Sequence, residues 1–363
     1  MKRIRNWRGR WISSGKRLSQ LLRTTDSAPI IRKTFHLDSA AGSAKLYLCA
    51  LGLHVLYING VKADDRVLAP AVSRYDKRCN YITYDVTHLL RKGLNTIAVI
   101  LGNGLFNCFE TSHWGFDTAP WRDWPKLCCD LEVDGKIVLA SDKSWKLHDS
   151  PITFDAWRSG EHYDARRFMP DFALPELDDS AWHNVSYCTP PGGVVEEENM
   201  PPCRITKTFK PVAIHRIYAD ITTYDFGINL TGFARIKVRG NSGSTLILQY
   251  GEKVDQPSNR LNTRILDHWM TAGAFQCDRY TLRGDENGEE WMPSFTYHGF
   301  RYIQAVAPAD VEILEIEACF VHTDFQSAGS FESSSDMLNT LQRNTRQSYL
   351  SNFTGIPTDG PHR

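Results

Sequence analysis

The sequence has no excess of charge of either sign. Its 363 residues include 42 Lys and Arg against 42 Asp and Glu, so that the formal net charge is zero. A neutral chain gives no global electrostatic reason to bind nucleic acid or an anionic membrane surface. We therefore expect neither a nucleic acid nor a membrane as partner.

Long apolar runs are also missing. Nothing approaches the roughly 18 consecutive apolar residues of a transmembrane helix. No apolar run of about 7–15 residues follows the basic N-terminal segment, as it would in a secretory signal. These absences lead us to expect a soluble cytoplasmic protein.

The cysteines lack the spacing of a metal site. There are nine, an odd number, and the closest sets are the adjacent Cys128 and Cys129, and Cys188 with Cys203. Neither set has the C-x-x-C spacing that is typical of structural zinc. Reduced thiols in a cytosolic protein are the expected state.

The N-terminal segment has no acidic residue before Asp26, although it carries eight basic ones. Trp7 and Trp11 lie among these charges, which would suit a single nucleic-acid strand. Alternatively, Trp11 and Ile12 dock on a domain while the charged groups stay in water. We adopt the second interpretation. The basic residues are Lys2, Arg3, Arg5, Arg8, Arg10, Lys16, Arg17 and Arg23.

Strand patterns dominate what is present. Residues 234–239 alternate apolar and basic side chains, and Leu246, Leu248 and Tyr250 continue this period after the turn at 240–243. The pattern predicts a hairpin with one solvent-facing side. Further short strands are predicted at 45–48, 54–58 and 96–101, and many short strands separated by turns favour β-sandwiches.

Composition divides the chain into five segments. Pro, Gly and Glu are concentrated between 189 and 203, which predicts a linker. We predict an arm at 1–29, one domain at 30–188, the linker at 189–203, a second domain at 204–323 and a helical segment at 324–363.

The helical segment has an apolar face. Ser333 or Ser334 is expected to cap the helix, and Asp336 suits its first turn. One stripe carries Met337, Leu338, Leu341, Thr345 and Tyr349. Such a stripe must be covered, either by a sandwich or by further chain.

Eight segments, in order along the chain, carry a resemblance to a known family. They are residues 29–35, 50–60, 81–87, 160–166, 224–232, 295–302, 322–324 and the terminal Pro-Thr-Asp-Gly-Pro-His-Arg at 357–363. From about residue 28 onward the chain resembles bacterial α-L-rhamnosidases of glycoside hydrolase family 78.

The resemblance implies a mainly β fold. It comprises two β-sandwich domains, a jelly-roll (galactose-binding-like) domain and a concanavalin-like domain, followed by the start of a truncated (α/α)6 toroid. Residues 177–182 are similar to a stretch in jelly-roll modules of other sugar hydrolases. The missing remainder of the toroid would then be the intramolecular partner of this chain.

The resemblance also implies roles for the terminal residues. In the family, the Asp of this motif contacts the rhamnose and the general-acid Glu directly follows the Arg. Asp359 and Arg363 are therefore expected to bind substrate, and the acid is expected just after Arg363. Gly360 stands where the family usually has Cys.

Inverting glycoside hydrolysis needs a carboxylic acid and a carboxylate about 6.5–9.5 Å apart. Asp359 alone cannot serve as both, so we expect no catalytic residue within the chain and no activity from the chain alone. The expected function is that of the N-terminal part of an inverting α-L-rhamnosidase acting on terminal α-L-rhamnosyl residues of a rhamnose-containing glycan. The alternative is an autonomous rhamnose-binding module without catalysis.

Two features of the first domain bear on that alternative. Trp114 and Trp121, with Trp124, lie in a loop-like stretch and could stack on sugar rings. Glu161 and Asp164, near Asp178 and Asp179, are candidate calcium ligands, because some modules that resemble this domain hold calcium. They lack EF-hand spacing, which favours surface hydrogen bonding, and no cofactor is otherwise expected.

Overall fold

The computed structural model describes residues 5–16, 18, 26–112, 114–264, 266, 270–271 and 274–362. The chain forms two compact units: the first comprises Met1–Trp157 and Arg167–Asn199, and the second comprises Arg158–Arg166 and Met200–Arg363. The short segment 158–166 thus belongs to the second unit, although the predicted first domain includes it.

The strands are short and numerous, as the turn-rich sequence predicts. The first sixteen are β1 (Ile12–Ser13), β2 (Pro29–Leu37), β3 (Ala44–Leu51), β4 (Leu53–Ile58), β5 (Val61–Lys62), β6 (Arg78–Asp85), β7 (Gly93–Gly102), β8 (Thr111–Ser112), β9 (Lys126–Val133), β10 (Lys136–Ala140), β11 (Lys146–Asp149), β12 (Ile152–Ala156), β13 (Gly160–Asp164), β14 (His183–Asn184), β15 (Ser186–Tyr187) and β16 (Val194–Glu197).

The remaining elements all lie in the second unit, which also contains β13. They are β17 (Cys203–Phe209), β18 (Ala213–Arg216), β19 (Ile221–Arg239), β20 (Thr245–Gly251), β21 (Val254–Asp255), β22 (Arg260–Leu261), β23 (Met270–Thr271), β24 (Cys277–Thr281), β25 (Glu289–Trp291), β26 (His298–Val306), β27 (Glu312–Thr323) and the helix α1 (Asp336–Ser351). Short 3-10 helices occupy Thr87–Leu89, Phe116–Thr118 and Ala165–Arg167.

The first unit is a sandwich of two sheets. One has the strand order β15-β1-β9-β3-β6-β16 with β10 beside β9, and the other has the order β14-β11-β2-β7-β4-β5. Alternate residues of both sheets point inward and form one apolar core. Strand β16 lies in the predicted linker and runs parallel to β6.

The basic N-terminal segment is docked on this sandwich. Ile12 in β1 is fully buried in the core, and β1 pairs with β9 and β15. The Arg5 guanidinium lies 3.3 Å from the Tyr47 ring centroid and 3.4 Å from the buried Asp130 carboxylate. The described part of the segment is therefore structural, because its strand β1 is part of the sandwich and Arg5 is paired with Asp130.

A buried arginine fixes a long loop to the outer face of the second sheet. Arg32 is fully buried and donates hydrogen bonds to the Asp179 carboxylate and the Leu174 carbonyl, both at 2.7 Å. Its guanidinium also lies 5.6 Å from the Trp182 ring centroid. Removing this side chain would leave these partly buried acceptors without their donor.

The second unit is organised by one long strand. The first half of β19 pairs with β18 and β26, and its second half pairs with β27 and β25. The register shifts between Asp225 and Leu230, where Gly227 adopts φ +72° and the Asp225 carboxylate accepts its N–H at 2.7 Å. Both halves of β19 contribute side chains to one apolar core.

The predicted hairpin of 234–239 with 246–250 is wrong in its pairing. Both segments are strands, but β26 lies between β20 and β19. Both edges of the second half of β19 are occupied by later strands, and the turn between the two segments is held by the Asp310 side chain, which accepts from the Asn241 N–H at 3.3 Å. Strands β26, β27 and β25, which come later in the chain, therefore pair with β19 in place of the predicted hairpin partner β20.

Helix α1 begins later than predicted, with Ser335 as its N-cap. Ser333 stays outside the helix because the Asn339 amide bonds both its N–H, at 2.9 Å, and its carbonyl, at 2.8 Å. The apolar stripe is exposed at Met337, Leu338, Leu341 and Tyr349.

All nine cysteines are free thiols, and eight of them are buried. Burial raises the pKa of the Cys79 thiol to about 12, which keeps it protonated. Within the described chain, no helix combines the length and the apolar character needed to cross a membrane.

Replacing Arg32 by Met should lower the free energy of unfolding by about 1–3 kcal/mol, because it removes the buried donor of the partly buried Leu174 carbonyl and Asp179 carboxylate. Urea unfolding of the 363-residue chain measures this. The control is Arg91→Gln, which breaks the exposed pair with Glu176 and should cost at most about 1 kcal/mol. Equal losses from the two variants would contradict the assigned role of Arg32.

Candidate functional site

The segment after α1 folds back onto the sheet of the second unit. The Thr323 N–H donates to the Phe353 carbonyl at 2.8 Å, and the Thr323 hydroxyl accepts from the Gly355 N–H at 2.9 Å. The Thr358 N–H donates to the Asn352 carbonyl at 2.8 Å. These bonds close a compact turn at the end of β27.

A second attachment follows at the end of the chain. The largely buried Arg158 guanidinium donates to the Pro361 carbonyl at 2.5 Å and to the Gly360 carbonyl at 3.5 Å. Pro361 packs directly on Gly299, where a Cβ would lie 2.5 Å from the Pro361 Cγ. The Gln276 amide holds the Gly299 backbone through bonds of 2.8 and 3.2 Å. Only glycine leaves room for this contact.

Asp359 lies between these two attachments. Its exposed side chain lines a cleft of about 920 Å³. One wall consists of α1 and the terminal segment, and the other consists of residues from β17, β19 and β27. The cleft belongs entirely to the second unit, and its size would admit a sugar of a few rings.

His322 lies on the wall of the cleft that contains β17, β19 and β27, and its imidazole is neutral. Burial lowers the pKa of His322, although its hydrogen bond to the Thr323 carbonyl opposes the shift. That bond, from Nδ1 at 2.7 Å, leaves Nε2 to accept from the Thr206 hydroxyl at 2.9 Å. His322 therefore fixes the wall and carries no charge at neutral pH.

The wall carboxylates are largely engaged. Asp324 pairs with Arg204 at 3.1 Å, and Glu252 accepts from the Asn229 amide at 3.0 Å. The guanidinium groups of Arg343 and Arg346 and the Lys207 ammonium line the same cleft.

His298 and Arg301 in β26 both form side-chain contacts with aspartates of the second unit. His298 is fully buried, contacts Asp278 at 3.1 Å and stacks on Tyr250. Arg301 forms two hydrogen bonds of 2.8 Å to Asp225. These bonds hold the pKa of the Asp225 carboxyl below its usual value.

The candidate stacking residues of the first unit differ in exposure. Trp114 is 61% exposed. Trp121 is half-buried and packs with Tyr75, at 6.2 Å between ring centroids, over a cluster that includes Phe106. Of the two predicted stacking residues, Trp114 therefore exposes most of its side chain to solvent, and Trp121 does not.

Trp124 borders a cavity of only about 30 Å³, together with Asp155. That volume is too small for a sugar ring. Asp155 is fully buried and accepts from the Asn103 N–H at 2.7 Å. Burial raises the pKa of Asp155 to about 7.

The two calcium candidates lie in β13 and each has another bonding partner. Glu161 is fully buried, and its Oε2 accepts from the N–H groups of Ser294 and Phe295, both at 2.9 Å. Asp164 forms bonds of 2.8 and 2.9 Å to the Arg166 guanidinium. In the described residues, no group of three or more His, Cys, Asp or Glu is placed to hold a metal. Calcium binding stays a prediction.

The structure places Asp359 on the cleft, whereas Arg363 lies outside the described residues. Sequence reasoning missed Arg158 and Gln276, which fix the terminal segment from distant positions. It also missed Arg343 and Arg346, although their spacing on α1 was a readable signal of a shared helix face.

Three family descriptions match consecutive parts of the chain. The α-L-rhamnosidase N-terminal domain matches residues 39–207, the bacterial α-L-rhamnosidase concanavalin-like domain matches 215–322, and the bacterial α-L-rhamnosidase six-hairpin glycosidase domain matches 326–363.

Similar whole proteins are much longer. An α-L-rhamnosidase of Formosa agariphila is 31% identical over 352 residues, which are 93% of this chain and 36% of that protein. The chain spans 32–39% of the length of the curated relatives it matches.

Solved structures are similar over the same region. The α-L-rhamnosidase from Dictyoglumus thermophilum has a TM-score of 0.88 at 37% identity, covering 99% of this chain and 40% of that one. The Streptomyces avermitilis α-L-rhamnosidase complexed with L-rhamnose has a TM-score of 0.85 at 30% identity, covering 93% and 33%.

Replacing Gly299 by Ala should displace the terminal segment, because the new methyl group would overlap the rigid Pro361 ring. Hydrogen exchange at the Gly355 and Thr358 amides should accelerate at least about tenfold, as their bonds open. The control is Gly329→Ala, since a Cβ there meets nothing within 4 Å. Unchanged exchange in the Gly299 variant would show that this contact does not hold the segment.

Proposed function

We propose, from the premise that the chain belongs to the bacterial α-L-rhamnosidases of glycoside hydrolase family 78, that it forms the N-terminal part of an enzyme hydrolysing terminal α-L-rhamnosyl residues. The observation that carries this proposal is the position of Asp359. Its carboxylate is exposed on a large cleft, on a segment attached at both ends to a rigid sheet.

In the proposed mechanism, Asp359 accepts hydrogen bonds from hydroxyl groups of the rhamnosyl residue and so fixes its orientation. A carboxylate acceptor suits this task, because charge-assisted bonds are stronger than neutral ones. Attachment of the segment through Arg158 and Thr323 removes the entropy cost of ordering it during binding.

Hydrolysis with inversion requires two further carboxyl groups. One protonates the leaving glycosidic oxygen, and the other activates water on the opposite face of the sugar. We assign the acid to a residue directly after Arg363 and the base to a later part of the six-hairpin domain. On this proposal, the present chain orients substrate and does not catalyse its hydrolysis.

The apolar stripe on α1 supports a larger domain around the cleft. Met337 is 75% exposed and Leu341 61% exposed, which is costly for adjacent apolar side chains of one helix. Further helices of the six-hairpin domain would cover this stripe, which faces away from the sheet of the second unit.

The 363-residue chain should release no rhamnose from an aryl α-L-rhamnoside, whereas a protein extended through the six-hairpin domain should. In the extended protein, Asp359→Asn should lower kcat/KM by about 10- to 100-fold, the value of a charge-assisted hydrogen bond. Asp220→Asn, at an exposed carboxylate outside the cleft, is the control. Activity of the short chain that Asp359→Asn abolishes would overturn the division of roles.

The exposure of Trp114 favours a second candidate, a rhamnose-binding function of the first unit. L-Rhamnose should then quench its fluorescence with a dissociation constant of about 1 mM, as expected for a shallow site. Trp114→Ala should abolish quenching, whereas Tyr187→Leu, at another exposed ring, should not. A flat titration with and without calcium would remove this candidate.

A further inference from the structure

Two arginines of α1, Arg343 and Arg346, line the cleft and have no carboxylate partner within the described part of the chain. Both side chains are exposed, and Arg343 donates to the Thr340 hydroxyl at 3.0 Å. Among the described residues, neither guanidinium forms an ion pair, although many other surface arginines of the chain do. Unpaired guanidinium groups along one side of a cleft are suited to bind an anion.

The arginines lie outside the centre of the apolar stripe. At 100° per residue, Arg343 lies about 120° or more from every residue of the stripe, whereas Arg346 lies about 140° from Leu341 and about 60° from Tyr349, which marks the edge of the stripe. Leu350, which packs on the core of the second unit, lies between them on the helical wheel. Both arginines therefore flank the side of α1 that faces the sheet of the second unit, and a helix packed on Leu341 at the centre of the stripe would leave them beside the cleft.

The opposite wall adds a third cation. Lys207 in β17 is exposed and lines the cleft. The acidic groups on that side are Asp324, which is paired with Arg204, and Glu252, which is bonded to Asn229. The arginines also line a neighbouring groove of about 400 Å³ with Glu332, which forms no ion pair with them in the described structure.

We propose that Arg343, Arg346 and Lys207 form a subsite for an anionic substituent of the glycan, a carboxylate or a sulfate ester on a sugar next to the rhamnosyl residue. This proposal rests on the proposed function. Guanidinium groups bind such oxyanions in bidentate fashion, and a neutral sugar would gain little from three cations. The negative charge of Asp359 repels the anion, so neutral rhamnose is directed to Asp359 and the anionic sugar to the arginines.

The test measures binding to the 363-residue chain by calorimetry at low ionic strength. The probes are an α-L-rhamnosyl-glucuronic acid disaccharide, the corresponding rhamnosyl-glucose disaccharide, methyl glucuronoside and a methyl glycoside sulfate. The double variant Arg343→Gln with Arg346→Gln is compared with the matched double variant Arg216→Gln with Arg239→Gln. Both pairs of arginines are exposed, and each double variant removes two positive charges. Loss of the exposed ion pair between Arg239 and Glu312 should lower the free energy of unfolding of the control by at most about 1 kcal/mol.

The anionic disaccharide should bind about tenfold more tightly than the neutral one, and the cleft variant should remove this difference while the control keeps it. The two methyl glycosides show whether carboxylate or sulfate is preferred. Anion binding that survives the cleft variant, or no anion binding at all, would overturn the subsite.

The outcomes also separate the two proposals. Equal binding of the neutral and anionic disaccharides would refute the subsite and leave rhamnoside recognition intact. Binding of the methyl glycosides at the arginines, with no added affinity from the rhamnosyl group, would support the subsite and count against the proposed role of Asp359.

Discussion

The cleft depends on the contact between Pro361 and a backbone position that has no side chain, Gly299. The bonds from Arg158 to two carbonyls of the terminal segment reinforce this contact. Segment 158–166, β26 and the chain terminus are far apart in sequence, yet all three are needed to place Asp359. The site is therefore a property of the folded second unit and not of the terminal motif by itself.

Two faces of helix α1 are suited to different kinds of contact. Its apolar stripe suits packing against other helices, whereas the face flanking Leu350 borders the cleft with Arg343 and Arg346. The bond from the Thr231 hydroxyl to the Ser351 carbonyl, at 2.5 Å, fixes the C-terminal end of the helix to β19. The orientation of the helix on the sheet of the second unit therefore does not depend on a partner for its apolar stripe.

Local patterns in the sequence identified most elements but not their partners. The alternation at 234–239 and 246–250 marks real strands, whereas their pairing depends on β26 and β27, which come much later in the chain. The helix was recognisable from its stripe, but Asn339 holds Ser333 outside it and moves its start to Asp336. The family motif identified Asp359. Its surroundings, above all Arg158 and Gln276, depend on long-range contacts that no local pattern encodes.

Strand β19 runs continuously for 19 residues through the second unit and shares a long ladder with β27. Helix α1 and the terminal turn are bonded to these two strands. A pulling force on the chain after α1 would therefore be transmitted to β19 and β27. The ladder between β19 and β27 would distribute this load over many hydrogen bonds. The second unit should therefore behave as a stiff mechanical base, and movement of whatever the chain carries beyond α1 should be taken up outside it.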